Sequence, residues 1–293
     1  MKEQSGHLSR QKNFLRSFVI FLILSTESFA DGSPFPVGAR SWGLANATIA
    51  RSDYYSIGNN VAGLGGIKTA AIFSTYNSHF NFEGISTLGV GAVMPLSEDL
   101  GIGLSIRRFG DNVYNQIAVG AGAGHHIGRF SLGLKLNYLQ TAISSSAIIF
   151  SKKALVLEFG GIVMISSKLY FGAHMYNVTQ SSYSDNLRER VDTSLRTGFL
   201  YKPSKTVELS AEIEKVTDNP MTLRIGLEYE IVRNFFVRTG INSKPQTNHF
   251  GIGFKVSQFH LNYAMHTHPQ LGWSHHFSIC YVFFGNKNTA IKN

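Results

Sequence analysis

The residues best suited to chemistry crowd the last third of the chain. His266 and His268 lie two apart, and His275 and His276 follow across a short turn. Imidazoles at that spacing could converge on one metal ion. Ser274, His276 and Ser278 stand at i, i+2 and i+4, so on an extended strand their side chains point the same way. A hydroxyl beside an imidazole is half of a nucleophilic site, which also needs hydrogen-bond contact and an orienting third group. A third set is ionic: Glu208, Glu212, Glu214, Glu228 and Glu230 neighbour Arg196, Arg224 and Arg238, with Arg107 and Lys135 earlier in the chain. Carboxylates so close need cations beside them, or their pKa values rise.

Each set has a plainer reading. Histidines suit a polar outer rim, where their rings meet an interface, and the His125-His126 pair reads the same way. No signature of a triad surrounds the serines, and serine is common on polar inner faces. The expectation is therefore rim histidines, no metal site, no cofactor and no enzymatic activity. The acidic and basic residues either neutralise one another inside the fold or form a polar lumen that guides a substrate or grips a plug.

The elements that must carry these residues are strands. In Arg129–Gln140, Phe130, Leu132, Leu134, Leu136 and Tyr138 alternate with Ser131, Gly133, Lys135 and Asn137. Period two places the two sets on opposite faces. The pattern recurs almost to the end of the chain, in fourteen candidate strands at about 67–80, 84–95, 99–110, 113–127, 129–143, 154–166, 168–178, 192–203, 206–217, 221–233, 235–243, 247–258, 259–267 and 271–284. In the clean strands the charges fall on the small-residue face, among them Arg107, Lys135, Glu158, Arg196, Glu208, Glu212, Arg224, Glu228, Arg238 and Lys255. That is where a barrel tolerates them, because a charge facing lipid at mid-bilayer costs roughly 2–4 kcal/mol. Strands of about ten residues also match a tilted crossing of the membrane.

Connections give independent support. With the N-terminus periplasmic, links after even-numbered strands should be short turns, and Ser97-Glu98, Gly128, Ser167, Pro203–Lys205, Asn234 and the junction at Gln258 are. The expected long outer loops are Ser144–Lys153 and Thr179–Val191. The sequence thus predicts an all-β, antiparallel transmembrane barrel of fourteen strands.

Composition agrees. Charged residues are 15% of the 293, aromatics 12%, and there are 29 glycines. The net charge of +9 is scattered, partly on Lys2, Arg10, Lys12 and Arg16, with no basic cluster interleaved with aromatics. Nucleic-acid binding is not expected. The single Cys280 rules out an internal disulfide. Basic residues, the apolar run Ser17–Leu24 and Ser28-Phe29-Ala30 read as a signal peptide cleaved before Asp31.

Asp31–Gly66 lacks alternation. Gly38-Ala39-Arg40-Ser41-Trp42-Gly43-Leu44-Ala45-Asn46-Ala47, followed by Asn60-Val61-Ala62-Gly63-Leu64, resembles the mature N-terminus of the PorV/PorQ family, part of the FadL-like superfamily of outer-membrane barrels. Val61 stands where that family's pattern has Pro. Leu271–His275 and Ser278 resemble the end of such proteins. The resemblance implies a fourteen-stranded barrel with its N-terminal segment folded inside. It also implies one of two roles: a channel or binder for hydrophobic small molecules, or an accessory partner of type IX secretion or surface-protein attachment.

The expected organisation is a signal peptide (1–30), a plug segment with short helices (31–66), a barrel (67–284) and a periplasmic tail (285–293). The expected plug residues are Arg40, Trp42, Asn60 and Gly63. Trp42 should anchor the segment on the inner wall, with Arg40 pairing to Glu212 or Glu228. The expected partners are outer-membrane lipid and either a hydrophobic ligand or secretion-system proteins, for a monomer in the outer membrane.

Overall fold

The computed structural model describes residues 36–82, 84–144, 149–183 and 190–284. The predicted signal peptide and the tail 285–293 lie outside them. Fourteen strands close into one antiparallel barrel, each hydrogen-bonded to its sequence neighbours, with β1 sealing against β14. They are β1 (Ala71–Ser78), β2 (Ser86–Pro95), β3 (Leu100–Gly110), β4 (Tyr114–Ile127), β5 (Phe130–Ser144), β6 (Ile149–Ser166), β7 (Leu169–Tyr176), β8 (Ser194–Tyr201), β9 (Val207–Val216), β10 (Thr222–Val232), β11 (Phe235–Ser243), β12 (Gln246–Val256), β13 (Phe259–His268) and β14 (Gly272–Val282).

The period-two sequence pattern becomes two surfaces. On β5, Phe130, Leu132, Leu134 and Leu136 are exposed, while Ser131, Lys135 and Asn137 are buried. Leu104, Leu223, Phe250 and Phe277 continue the exposed apolar belt on other strands. An apolar surface of this extent is not stable in water, and contact with hydrocarbon accounts for it.

The two mouths differ. At one, the chain reverses within 96–99, 128–129, 167–168, 202–206, 233–234 and 257–258. Gly128 and Asn234 take φ of 61° and 68° there, the left-handed conformation that tight hairpin turns require. At the other mouth lies the longest connection, 177–193, of which 184–189 fall outside the described residues.

The other expected long loop, Ser144–Lys153, is mostly strand. β6 starts at Ile149, and pairing with β5 runs from Ser144↔Ile149 to Gln140↔Lys153. The serines and the two lysines suggest a solvated loop, but Lys152 points inward and lies 4.2 Å above the Tyr183 ring. An aromatic face stabilises a buried ammonium, so charge alone misplaces the strand end.

Inside the barrel lies the segment from Pro36 onward. It contains two single-turn helices, α1 (Ala39–Gly43) and α2 (Ser56–Asn59), and a 3-10 helix (Val61–Gly66). α1 packs on β12 and β13, and the 3-10 helix packs on β3 to β6. Asn60 starts the 3-10 helix by accepting from Ala62 N at 3.2 Å. The chain then leaves by the short-turn mouth to become β1, where Lys68 Nζ donates to Glu98 O at 2.7 Å. Tyr55, Ile57, Val61 and Leu64 of the segment and Phe73, Val93 and the free thiol Cys280 of the wall form one apolar cluster.

Candidate functional site

The inner face of β8 to β11 carries the ionic network, and the N-terminal segment is bound into it. Arg40 makes a fork to Glu228: Nε donates to Oε2 at 2.9 Å and Nη2 to Oε1 at 2.5 Å. It also reaches Glu208 at 3.3 Å and Asp53 at 3.4 Å. Burial alone would lower the Arg40 pKa, but Glu228 and Glu208 more than offset it and hold it above the ordinary arginine value. Glu228 also accepts from Arg238 Nε, and Glu208 from Arg51 Nη1. Of the two partners expected for Arg40, Glu228 is taken.

Glu212 serves a different part of the segment. One oxygen accepts from the backbone of Thr48 and Ile49, both at 3.0 Å. The other accepts from Arg196 Nε at 2.6 Å and Arg224 Nη1 at 3.3 Å. Arg196 then donates to Asn46 O at 2.9 Å and Asn59 O at 3.3 Å, tying two stretches of the segment together. Asn60 Nδ2 donates to Ile49 O at 2.6 Å and bridges to Gly161 O and Ala173 O on the wall. Gly63 sits where a Cβ would meet the Arg51 carbonyl at 3.0 Å, and its own carbonyl accepts from Ser52 Oγ at 2.6 Å.

The histidines correct the rim expectation. His266 and His276 are buried on the inner face, not displayed at the mouth. Trp42 stacks on His276 with ring centroids 4.0 Å apart and on His266 at 5.2 Å. His249 stacks on His266 and bonds the Trp42 carbonyl at 2.8 Å. His79 meets the Trp42 ring edge-on at 6.0 Å, and burial pushes its pKa down to about 4. These imidazoles are spent on one another and on Asn77, Thr87 and Thr247. Among the described residues, no group of three or more His, Cys, Asp or Glu side chains is placed to hold a metal ion. The reason for the misplacement is register: His266 and His276 fall on the even, inward positions of β13 and β14, opposite the Trp42 ring. His275 faces outward against the Tyr263 hydroxyl at 2.7 Å. His268 does lie at the loop mouth, where its Nδ1 faces the backbone N–H of Gln270 and Leu271.

Ser274 and Ser278 also point inward, but the first hydroxyl binds the β1–β2 connection and the second the N-terminal segment. Ser274 Oγ accepts from Phe80 N at 2.9 Å. Ser278 Oγ accepts from Ala39 N at 3.1 Å and Tyr55 OH at 3.2 Å.

Across the lumen, Lys135 Nζ donates to Glu158 Oε1 at 3.2 Å, and Asn137 Nδ2 donates to the same oxygen at 2.6 Å. His174 Nε2 lies 3.0 Å from Oε2. Lys135, Asn137 and Glu158, with Arg107 and Tyr176, line a cavity of about 50 Å³ beside Val37 and Gly58.

Sequence reasoning missed the bed on which the segment rests. Inward glycines stand opposite one another on adjacent strands: Gly101↔Gly124, Gly124↔Gly133 and Gly133↔Gly160, then Gly172↔Gly198 and Gly226↔Gly240. A Cβ on Gly133 would lie 2.6 Å from Ala62 N, on Gly124 2.6 Å from Val61 O, and on Gly240 2.7 Å from Ala45 N. The missing side chains let main chain lie directly on the wall. The signal was present as glycines on the small-residue face, but one strand at a time it reads only as low bulk.

No family model and no curated protein matches the chain. Solved structures do. The P. putida toluene transporter TodX aligns with TM-score 0.65 and 10% identity, over 87% of this chain and 100% of that one. A Pseudomonas aeruginosa FadL homologue aligns with TM-score 0.62 and 11% identity over the same shares. A TodX deltaS2 mutant, a monoaromatic hydrocarbon channel, gives 0.60 and 11% over 78% and 93%. At such identities the likeness is one of fold: this chain has the architecture of FadL-like barrels. Nothing in these comparisons supports the narrower PorV/PorQ assignment.

Proposed function

We propose that the chain is an outer-membrane barrel that binds or passes hydrophobic small molecules without chemically changing them, with its N-terminal segment acting as the stopper. The observation that carries this is a closed fourteen-strand barrel whose lumen is occupied by its own residues 36–66. The apolar outer belt supports membrane residence, and the FadL homologue and TodX share the fold. The short-turn mouth would face the periplasm, the signal peptide would be removed, and the barrel would act as a monomer.

The test is uptake. Cells or proteoliposomes carrying the barrel should take up a radiolabelled monoaromatic hydrocarbon or a long-chain lipid faster than controls lacking it. Equal uptake sinks the reading. One observation favours a second role as an accessory of secretion or surface attachment: the cavity beside Val37 and Gly58 is small and edged by Arg107, Lys135 and Glu158, not a roomy apolar chamber. Recovery of secretion-machine subunits with the detergent-extracted barrel, without bound hydrophobic ligand, would move the assignment there.

A further inference from the structure

At the short-turn mouth a second cavity, of about 330 Å³, opens between the N-terminal segment and β11, β12 and β13. Arg40, Arg238, Lys255, Lys68 and His260 border it, with Asn262 beside them. The carboxylates nearby are committed. Glu228 holds Arg40 and Arg238, Glu208 holds Arg51 and Lys202, and Glu230 accepts from Asn234 N at 2.8 Å. Asp53, the one carboxylate among the described lining residues, accepts from Tyr55 N at 2.9 Å and faces Arg40.

Donors are left over. Arg238 is 4% exposed, and its Nε alone is spent on Glu228. Its Nη1 has no hydrogen-bond partner among the described residues. Both Nη atoms lie over Gly253, whose lack of a side chain leaves room for the guanidinium beside Asn262. Lys255 makes no ion pair among the described residues, and its Nζ hangs 4.7 Å above the Phe236 ring. A buried guanidinium with an idle donor costs free energy unless an acceptor fills the place. A planar fork with an adjacent ammonium suits an oxyanion. The volume falls within the range of small-molecule sites, and Phe236, Tyr54 and Ile67 give it apolar walls.

We propose that this cavity binds a phosphate-class oxyanion, free or as the head of an amphiphile, with Arg238 and Lys255 as its donors. The proposal does not rest on transport of a hydrophobic solute, and its test does not depend on uptake of one.

The experiment is calorimetric titration of the full-length barrel in detergent with two probes, inorganic phosphate and a short-chain phosphatidylglycerol. Saturable binding of inorganic phosphate identifies a free anion, and binding of the phosphatidylglycerol alone identifies a lipid head. In either case Lys255→Gln and Arg238→Gln should each weaken binding about tenfold or more, the loss expected of one charge-assisted hydrogen bond. Lys255 is free of ion pairs among the described residues, so its variant leaves the network intact. Heat-modifiable migration confirms that both variants fold. Absence of saturable binding by either probe overturns the proposal, as does unchanged affinity in the Lys255→Gln barrel.

Discussion

Glu228 gathers three guanidinium groups. Arg40 and Arg238 bond it directly, and Arg51 Nη1 lies 3.7 Å away. Its neighbours belong to both the segment and the wall, so it joins the two. Removing one partner of a buried ionic cluster leaves the others uncompensated, at about 3–5 kcal/mol. Glu228→Gln should therefore lower the unfolding free energy of the barrel, read from urea titration, by an amount in that range. A midpoint equal to wild type would show that water already screens these charges. The side of the strand on which each charge lies was legible in the sequence, because period two fixes the face. The partner was not: Glu212 and Glu228 have equal claim on Arg40 by pattern, and only the path of the segment separates them. The histidines show the same boundary. Their faces could be read from spacing, but not the Trp42 ring that lies against His266 and His276.

At the scale of elements, strands were legible because lipid on one side and a packed lumen on the other enforce strict alternation. Thirteen of the fourteen starts agree with the expected ones to within a few residues, and β6 departs because Lys152 finds an aromatic partner inside. The glycine bed was legible only across strands, since it depends on register. It makes a direct demand. Gly133→Val places a Cβ 2.6 Å from Ala62 N, well inside contact distance. The segment should lift, and a protease added to the detergent-extracted barrel should cut within 36–66, while the strand ladder keeps the barrel heat-modifiable. Gly161→Val is the control: its Cβ would meet only Leu132, at 3.7 Å, and the segment should stay protected. Equal protection in both variants would mean that the wall does not hold the segment.

For the whole molecule, strand hydrogen bonds and the outer belt are independent of the segment. The barrel closes through β1 and β14 without it. The segment in turn fills the lumen from α1 at β12 and β13 to the 3-10 helix at β3 to β6. Burial of the Trp42 ring alone contributes on the order of 2–3 kcal/mol to holding it there. Sequence resemblance suggested an inserted N-terminus, but whether it obstructs the lumen depends on contacts spread over most of the strands. The direct measurement is planar-bilayer conductance of the full barrel beside a form lacking Asp31–Gly66. The deleted form should still assemble and should conduct small ions readily, while the full barrel stays nearly closed. Equal conductance of the two forms would contradict the account and leave the segment without a role as stopper.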